Sequence, residues 1–426
     1  SGGTLAIAAD AQLGTAPGAA TAGHLRLEGG TLAVSNSFTL HALRGVAIDS
    51  GNSTIEVAST RTLQIAGSVA DGVVAGTLAK TGAGTLLLQN PSSNTGAVTV
   101  SAGTLVLDGA GASAGSGALT VGAAGALDIR NGGALANSLT LDGGALQTSA
   151  GTGSITGTVA LNADSSLNAG GGATLTVSNA ISGARALDKT GSGAVVLSGV
   201  NSFAGPLTVS AGSLTLQGGS AVANTAAVSV ATGATLVLAS AETIGRLSGT
   251  GNATLNATLT AGDGNSTSFS GVLSGSGGLV KQGAGAFTLG GVNTFSGATT
   301  VNAGTLVVDG TLASAVIDVN AGALTLGAAD RLANNAALQV ASGATATLGG
   351  ADTIGSLSLS GTLAGGFTLT ATSYALAGGT ANASLGTGTL SSTGASQLNA
   401  AAAAGTVNVN GGTLTLGAAN LLADPA

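Results

Sequence analysis

Apolar and polar residues alternate in short runs along the whole chain, and glycine punctuates the runs. Leu86 and Leu88 share one face of a run, as do Val98 and Val100, with Thr99 opposite. Leu105 and Leu107 share another, with Thr104 and Val106 opposite. The same alternation returns in Val195/Leu197, Leu207/Val209 and Leu214/Leu216, and again in Phe287/Leu289 and Leu306/Val308. A period of two predicts short β-strands with one buried face. Intervening glycines predict tight bends and backbone with positive φ. Strands this short and this numerous bury their apolar faces by stacking coil on coil around an aliphatic lumen. The expected fold is therefore all-β: a single right-handed parallel β-helix, an elongated solenoid spanning 1–426 as one continuous domain.

The alternation is carried by a long repeat. The chain holds three lysines, Lys80, Lys189 and Lys281, and each opens a similar segment. The segments read Lys80-Thr-Gly-Ala-Gly-Thr-Leu-Leu-Leu88, Lys189-Thr-Gly-Ser-Gly-Ala-Val-Val-Leu197 and Lys281-Gln-Gly-Ala-Gly-Ala-Phe-Thr-Leu289. Glycines follow at fixed offsets: Gly82, Gly84, Gly96 and Gly103 in the first copy, Gly191, Gly193, Gly205 and Gly212 in the second, Gly283, Gly285, Gly297 and Gly304 in the third. These fifteen residues form a structural repeat signature, and the copies span 76–111, 185–219 and 277–310. A second unit interleaves with the first. Ala323 to Asn335 parallels Thr413 to Asp424, and Thr243-Ile-Gly-Arg-Leu247 parallels Thr353-Ile-Gly-Ser-Leu357. At about 20 residues per coil the chain predicts roughly 21 coils, and at about 4.8 Å per coil a rod on the order of 100 Å long. Gly111–Gly117 and Gly262–Gly264 are expected as loops, and Ala400–Ala404 as a loop or one helical turn. The chain opens directly in a strand pattern and stops inside a repeated unit, so it is expected to be truncated at both ends.

Composition narrows the classes. With 75 glycines, 4 prolines, 2% aromatic and 6% charged residues, a conventional globular core is disfavoured, while 44% hydrophobic content disfavours disorder. A narrow lumen can be filled by aliphatic side chains with few aromatics. A net charge of −7 with scattered Lys and Arg excludes a basic footprint for nucleic acid. No cysteine is present, so no disulfide or thiolate metal site is available. No run of 18 apolar residues predicts a transmembrane helix.

These segments resemble the autotransporter-associated β-strand repeat of type V secreted passengers. The third copy carries the pattern from Gly278-Leu-Val-Lys281 through Asn293-Thr-Phe295-Ser-Gly297 to Gly304-Thr-Leu306, and the second through Asn201-Ser-Phe203-Ala-Gly205. The first departs, with Ser92 and Asn94 at the Asn and aromatic positions and Pro91 before them, and its coil is expected to bend differently. The resemblance implies export, a place on the outer surface of a Gram-negative cell, and adhesion or biofilm contact. It implies as partners a host or neighbouring-cell surface or further copies of the chain, with membrane attachment only through an anchor outside this sequence.

Reactive groups are sparse. His24 and His41 lack metal-ligand spacing and are expected as partly exposed strand or loop residues. Gly111-Ala-Ser113-Ala-Gly115 has the letters of a nucleophile elbow, but both histidines lie upstream. Lys80-Thr-Gly82 and Lys189-Thr-Gly191 lack any Ser-x-x-Lys partner. The lysines are expected to cap a turn at the coil edge, with Asp108, Gln217 or Asp309 at a fixed offset as candidate partners. Asp108, Asp142, Asp263 and Asp309 each precede glycine and are expected in Asp-Gly turns. No catalytic residue, cofactor or metal is expected. The favoured function is a structural stalk or adhesin segment without enzymatic activity. A polysaccharide-degrading β-helix, an ice-binding solenoid with Thr-x-Thr pairs such as Thr174/Thr176, and a filament-forming solenoid are the alternatives.

Overall fold

The computed structural model describes residues 2–422, whose regular elements are β-strands apart from one 3-10 turn at Asp10–Leu13. The ladders between described strands are parallel, and an isolated antiparallel bridge joins Gly122 to Gly143. The fold is a parallel β-solenoid, with about 20 turns counted over two compact units, Ser1–Ala223 and Asn224–Ala426.

In the first unit the ladders place like residues on like. One column stacks Leu63, Leu86, Leu105, Leu127, Leu146 and Leu167 in register, then Lys189 and Val209. A second stacks Leu32, Ile55, Lys80, Val100, Val121 and Leu141. A third stacks Leu135, Ile155, Val177, Leu197 and Leu216, all buried. Alternation produces this directly, because every second side chain of a strand enters the lumen and its neighbours face water. The second unit repeats the scheme with Ile244, Ala261, Lys281, Val301, Val319, Val340 and Leu359. Coil length shortens along the chain. Side chains bridging adjacent coils lie 25 residues apart at Gln64 and Gln89, 20 at Asn201 and Ala221, and 17 at Asn382 and Asn399.

Several expectations meet a different outcome. Aromatics are few, yet Phe203, Phe269, Phe287, Phe295 and Tyr374 are fully buried, while Phe38 is half-buried and Phe367 exposed. The Tyr374 hydroxyl accepts the Ala371 N–H at 2.7 Å and lies 3.1 Å from the Leu369 carbonyl, so a lumen phenol is kept satisfied by backbone. Burial raises its pKa. Val106, placed on the outward face, is itself buried, because it stacks between Leu87 and Asp128 in register. Gly111–Gly117 and Gly262–Gly264 carry no strand, as expected. Of the two expectations for Ala400–Ala404, the loop holds and the helical turn does not. Ala402 bridges to Leu385 and Leu422 as part of a coil. Asp108 and Asp142 precede glycines with positive φ (107° and 86°), whereas Gly264 and Gly310 have none. Gly310 there donates its N–H to the Leu289 carbonyl of the preceding coil. The end of the repeated unit at Asp424 lies outside the described residues.

Column packing sets a mutational contrast. Leu127→Ala, in the middle of the leucine column, is expected to cost about 2–5 kcal/mol. Thr120→Ala, outward on the same strand, is expected to cost less than about 0.5 kcal/mol. Urea unfolding of the two variants against the parent chain measures both.

Candidate functional site

The repeat signature has a single structural meaning in all three copies. Each lysine occupies a lumen position in an aliphatic column. Lys80 lies between Ile55 and Val100, Lys189 between Leu167 and Val209, and Lys281 between Ala261 and Val301. All three are buried, with fractional exposures of 0%, 0% and 1%. Lys80 Nζ donates to the carbonyls of Thr81 and Gly82 at 2.8 Å and of Ala102 at 3.0 Å. Lys189 Nζ donates to Thr190, Gly191 and Ala211, each at 2.8 Å. Lys281 Nζ donates to Gln282 and Gly283 at 2.7 Å and to Ala303 at 3.0 Å. An ammonium has three donors, and each clamp supplies three acceptors: two from the turn after the lysine and one from the turn of the next coil. The lysines do cap turns, but from inside the solenoid.

The signature glycines build that cage. Gly82, Gly191 and Gly283 have φ of 68°, 73° and 72°, and Gly103, Gly212 and Gly304 have φ of 68°, 65° and 65°. A side chain is disfavoured in this region. Gly103, Gly212 and Gly304 also sit against the turn of the coil before, where a Cβ would collide with the carbonyls of Gly84, Gly193 and Gly283 respectively. Gly84, Gly96, Gly193, Gly205, Gly285 and Gly297 lack positive φ. They are glycine because a Cβ would strike a carbonyl oxygen of the neighbouring coil, such as that of Gly76 beneath Gly96.

The anticipated carboxylate partners are not used. Asp108 instead meets Arg130 at 3.4 Å and Asn131 at 2.6 Å, on the outside. The carboxylates that bear on the ammonium groups are Asp188 for Lys189 and Asp263 for Lys281. Burial pulls Lys80 and Lys189 down from 10.5 to about 8 and lowers Lys281 as well.

Asparagine supplies a second clamp. Asn201 accepts the Ile181 N–H of the coil before at 2.7 Å and donates to the Ala221 carbonyl of the coil after at 2.7 Å. Asn293 likewise accepts from Leu273 N–H at 3.1 Å and donates to Thr311 O at 3.1 Å. In the first copy Asn94 takes the buried place that Phe203 and Phe295 hold, and its amide donates to Ala114 O at 3.2 Å. Ser113 then pins Ser92, accepting its N–H at 2.9 Å and donating to its carbonyl at 3.2 Å. That contact gives the Gly-x-Ser-x-Gly letters a structural use.

Buried carboxylates form a third clamp that the repeat pattern did not single out. Asp49 accepts the N–H groups of Ser50 (2.9 Å), Val73 (3.2 Å) and Val74 (3.0 Å) and also meets Arg26. Asp352 accepts those of Arg331 (2.8 Å), Leu332 (3.1 Å) and Thr353 (2.8 Å), and burial raises its pKa. Asp352 and the equally buried Glu242 each stand immediately before the paired Thr-Ile-Gly-x-Leu segments. An acid shared by two otherwise apolar copies was the available signal. Arg44 was also missed: it is fully buried, with its Nε 3.0 Å from Asp10 Oδ1 and its Nη1 2.6 Å from His24 Nε2. Both histidines are exposed, His24 on the strand Thr21–Leu27 and His41 in the loop before Arg44. Among the described residues no three His, Asp or Glu side chains are grouped to hold a metal. The Thr174/Thr176 pair faces Ala194 and Val196 in the next coil, so its threonines do not continue as a ladder there.

Three segments, 78–107, 187–216 and 279–308, match the family model of the Passenger-associated-transport-repeat, one for each lysine clamp. No curated protein and no solved structure matches the chain.

Two measurements probe the clamps. Gly304→Ala, strained by its φ and by collision, is expected to cost about 1–3 kcal/mol. Gly264→Ala, in open space, is expected to stay within about 0.5 kcal/mol in the same urea titration. The lysines also set a pH window. Between about 8 and 10.5 the folded Lys80 and Lys189 release protons that the unfolded chain still holds, so their contribution to stability rises with pH there. Thermal midpoints from pH 7.5 to 10.5 should therefore rise for the parent chain relative to the Lys80→Met/Lys189→Met variant, which lacks both groups.

Proposed function

We propose that this chain is a non-catalytic stalk or adhesin segment of a large secreted bacterial surface protein of the autotransporter-passenger kind. The carrying observation is the coincidence of the three passenger-associated repeats with the three lysine-clamped coils of a parallel β-solenoid. Sequence conserved between copies is spent on turns and lumen, which is what a display scaffold requires. The ionisable groups that are buried serve as internal clamps, with Asp49 and Asp352 holding backbone N–H groups and the lysines holding carbonyls. The outer faces carry Thr, Ser, Asn and Gln among exposed Gly and Ala, suited to weak polar contact repeated from coil to coil. Gln64, for example, donates to Gln89 one coil on.

On this reading the segment stands at the Gram-negative cell surface and meets a host or neighbouring cell, or further copies of itself. Among the described residues no helix is long and apolar enough to cross a bilayer.

The test is direct. Antibody raised against this chain should label intact cells that express the parent protein, and protease added outside should remove the label. Beads coated with the purified chain should clump with one another or bind cells, and uncoated beads should not. Label found only after cell lysis would overturn the surface assignment, and inert beads would remove adhesion from the reading.

A further inference from the structure

The lumen columns pose a problem that their own side chains cannot solve. Leu63, Leu86, Leu105, Leu127, Leu146 and Leu167 follow one another in register, each a leucine over a leucine. A strand that skipped one coil and paired with the next but one would bury the same groups. The ejected coil would lose its own lumen burial as well as loop-closure entropy, but the strand closing over it would meet a column of the same kind. Coil length itself varies from 25 residues to 17, so the ladder imposes no fixed spacing. Apolar stacking therefore opposes the loss of a coil but does not distinguish one leucine coil from the next, and register is weakly specified wherever the pattern is uniform.

We propose that the three buried lysines are register pins, each selecting the one coil-to-coil pairing that completes its carbonyl cage. Each cage takes its third acceptor from the coil 22 residues on: Ala102, Ala211 or Ala303. Offset and distances repeat in all three copies, although Thr81 and Thr190 become Gln282 and the columns around them differ. A left-handed glycine follows each third acceptor, at Gly103, Gly212 and Gly304, and presents that carbonyl to the ammonium. In a pairing that skips the coil after Lys80, the third acceptor would have to come from Ala124, the register partner of Ala102. Gly125 lacks the left-handed φ with which Gly103 presents the carbonyl, so the charge is left poorly satisfied inside the lumen, where that is costly. A hydrophobic residue would fill the same place, since Ile55 and Val100 do so directly beneath and above Lys80. A buried ion is a poor source of net stability but a good discriminator between arrangements. Lys80 and Lys189 stand in two different columns of the first unit, so the pins act on separate faces.

Cross-linking reads the register itself, because the chain has no cysteine. Ala79 and Thr99 are register partners, and Thr99 is in turn the partner of Thr120. Ala79→Cys with Thr99→Cys reports the native pairing, and Ala79→Cys with Thr120→Cys reports the pairing that skips one coil. Each pair is built with Lys80 and with Lys80→Met, refolded under mild oxidant, and mapped by non-reducing peptide analysis. With Lys80 only the native link should form. With Lys80→Met the skipped link should rise by at least about tenfold, as expected if an unpaired buried charge had been excluding it. Exclusive native linkage in the Lys80→Met chain would overturn the proposal, and so would skipped linkage with Lys80 present. If Lys80→Met does not refold, Lys80→Leu takes its place. Failure of both to regain β circular dichroism would make the lysine a requirement for stability and would likewise overturn a register role.

Discussion

A coil of this solenoid cannot be satisfied alone. Its strands are about four residues long, its lumen face is one side chain deep, and its backbone donors and acceptors point along the stacking direction toward the coils on either side. Most of the molecule consists of repeated answers to that constraint. Leucine columns bury apolar area between coils, and parallel ladders pair the straight backbone. The turns are the difficult part, since their carbonyls and N–H groups face inward where no water reaches them. Lysine takes the carbonyls, aspartate takes the N–H groups, and asparagine takes one of each from opposite neighbours. Lys189, Asp352 and Asn201 are thus three chemical forms of one solution.

The same constraint explains a composition that looks poor in chemistry. Only three lysines occur, and all are enclosed. An ammonium matched to three carbonyls needs no carboxylate, so the clamps avoid a buried ion pair and its geometric demands. Glycine abundance has two separate causes. At Gly82 and Gly103 the backbone must be left-handed, and at Gly96 there is no room for a Cβ against the coil beneath. Neither cause involves flexibility, and the signature glycines are among the most constrained residues of the chain.

Function follows from where that specificity is invested. The repeat that marks secreted passengers coincides with the clamped turns, and what recurs in it maintains stacking rather than a reactive surface. A scaffold whose interior carries the recurring residues leaves its outward positions free to vary, as the changes from Ala79 to Thr99 and from Thr140 to Ala160 on one face and from Gln64 to Leu87 on another show.

The sequence alone determined the strands, their buried faces and the existence of the lysine-glycine repeat, because a period of two and a fixed offset are local properties readable without partners. It also placed Lys80, Lys189 and Lys281 at turns. Only the tertiary structure decided that these lysines are enclosed in the lumen: alternation sets each on the face of Leu78, Leu187 or Leu279, but a charged group argues for water unless a cage awaits it, and the third wall of that cage comes from a coil 22 residues away. The burial of Val106 and the use of Asn94 in place of Phe203 were decided in the same way. Each depends on what the adjacent coil sets opposite a residue, and that is fixed by stacking rather than by the residue's own neighbours in the chain.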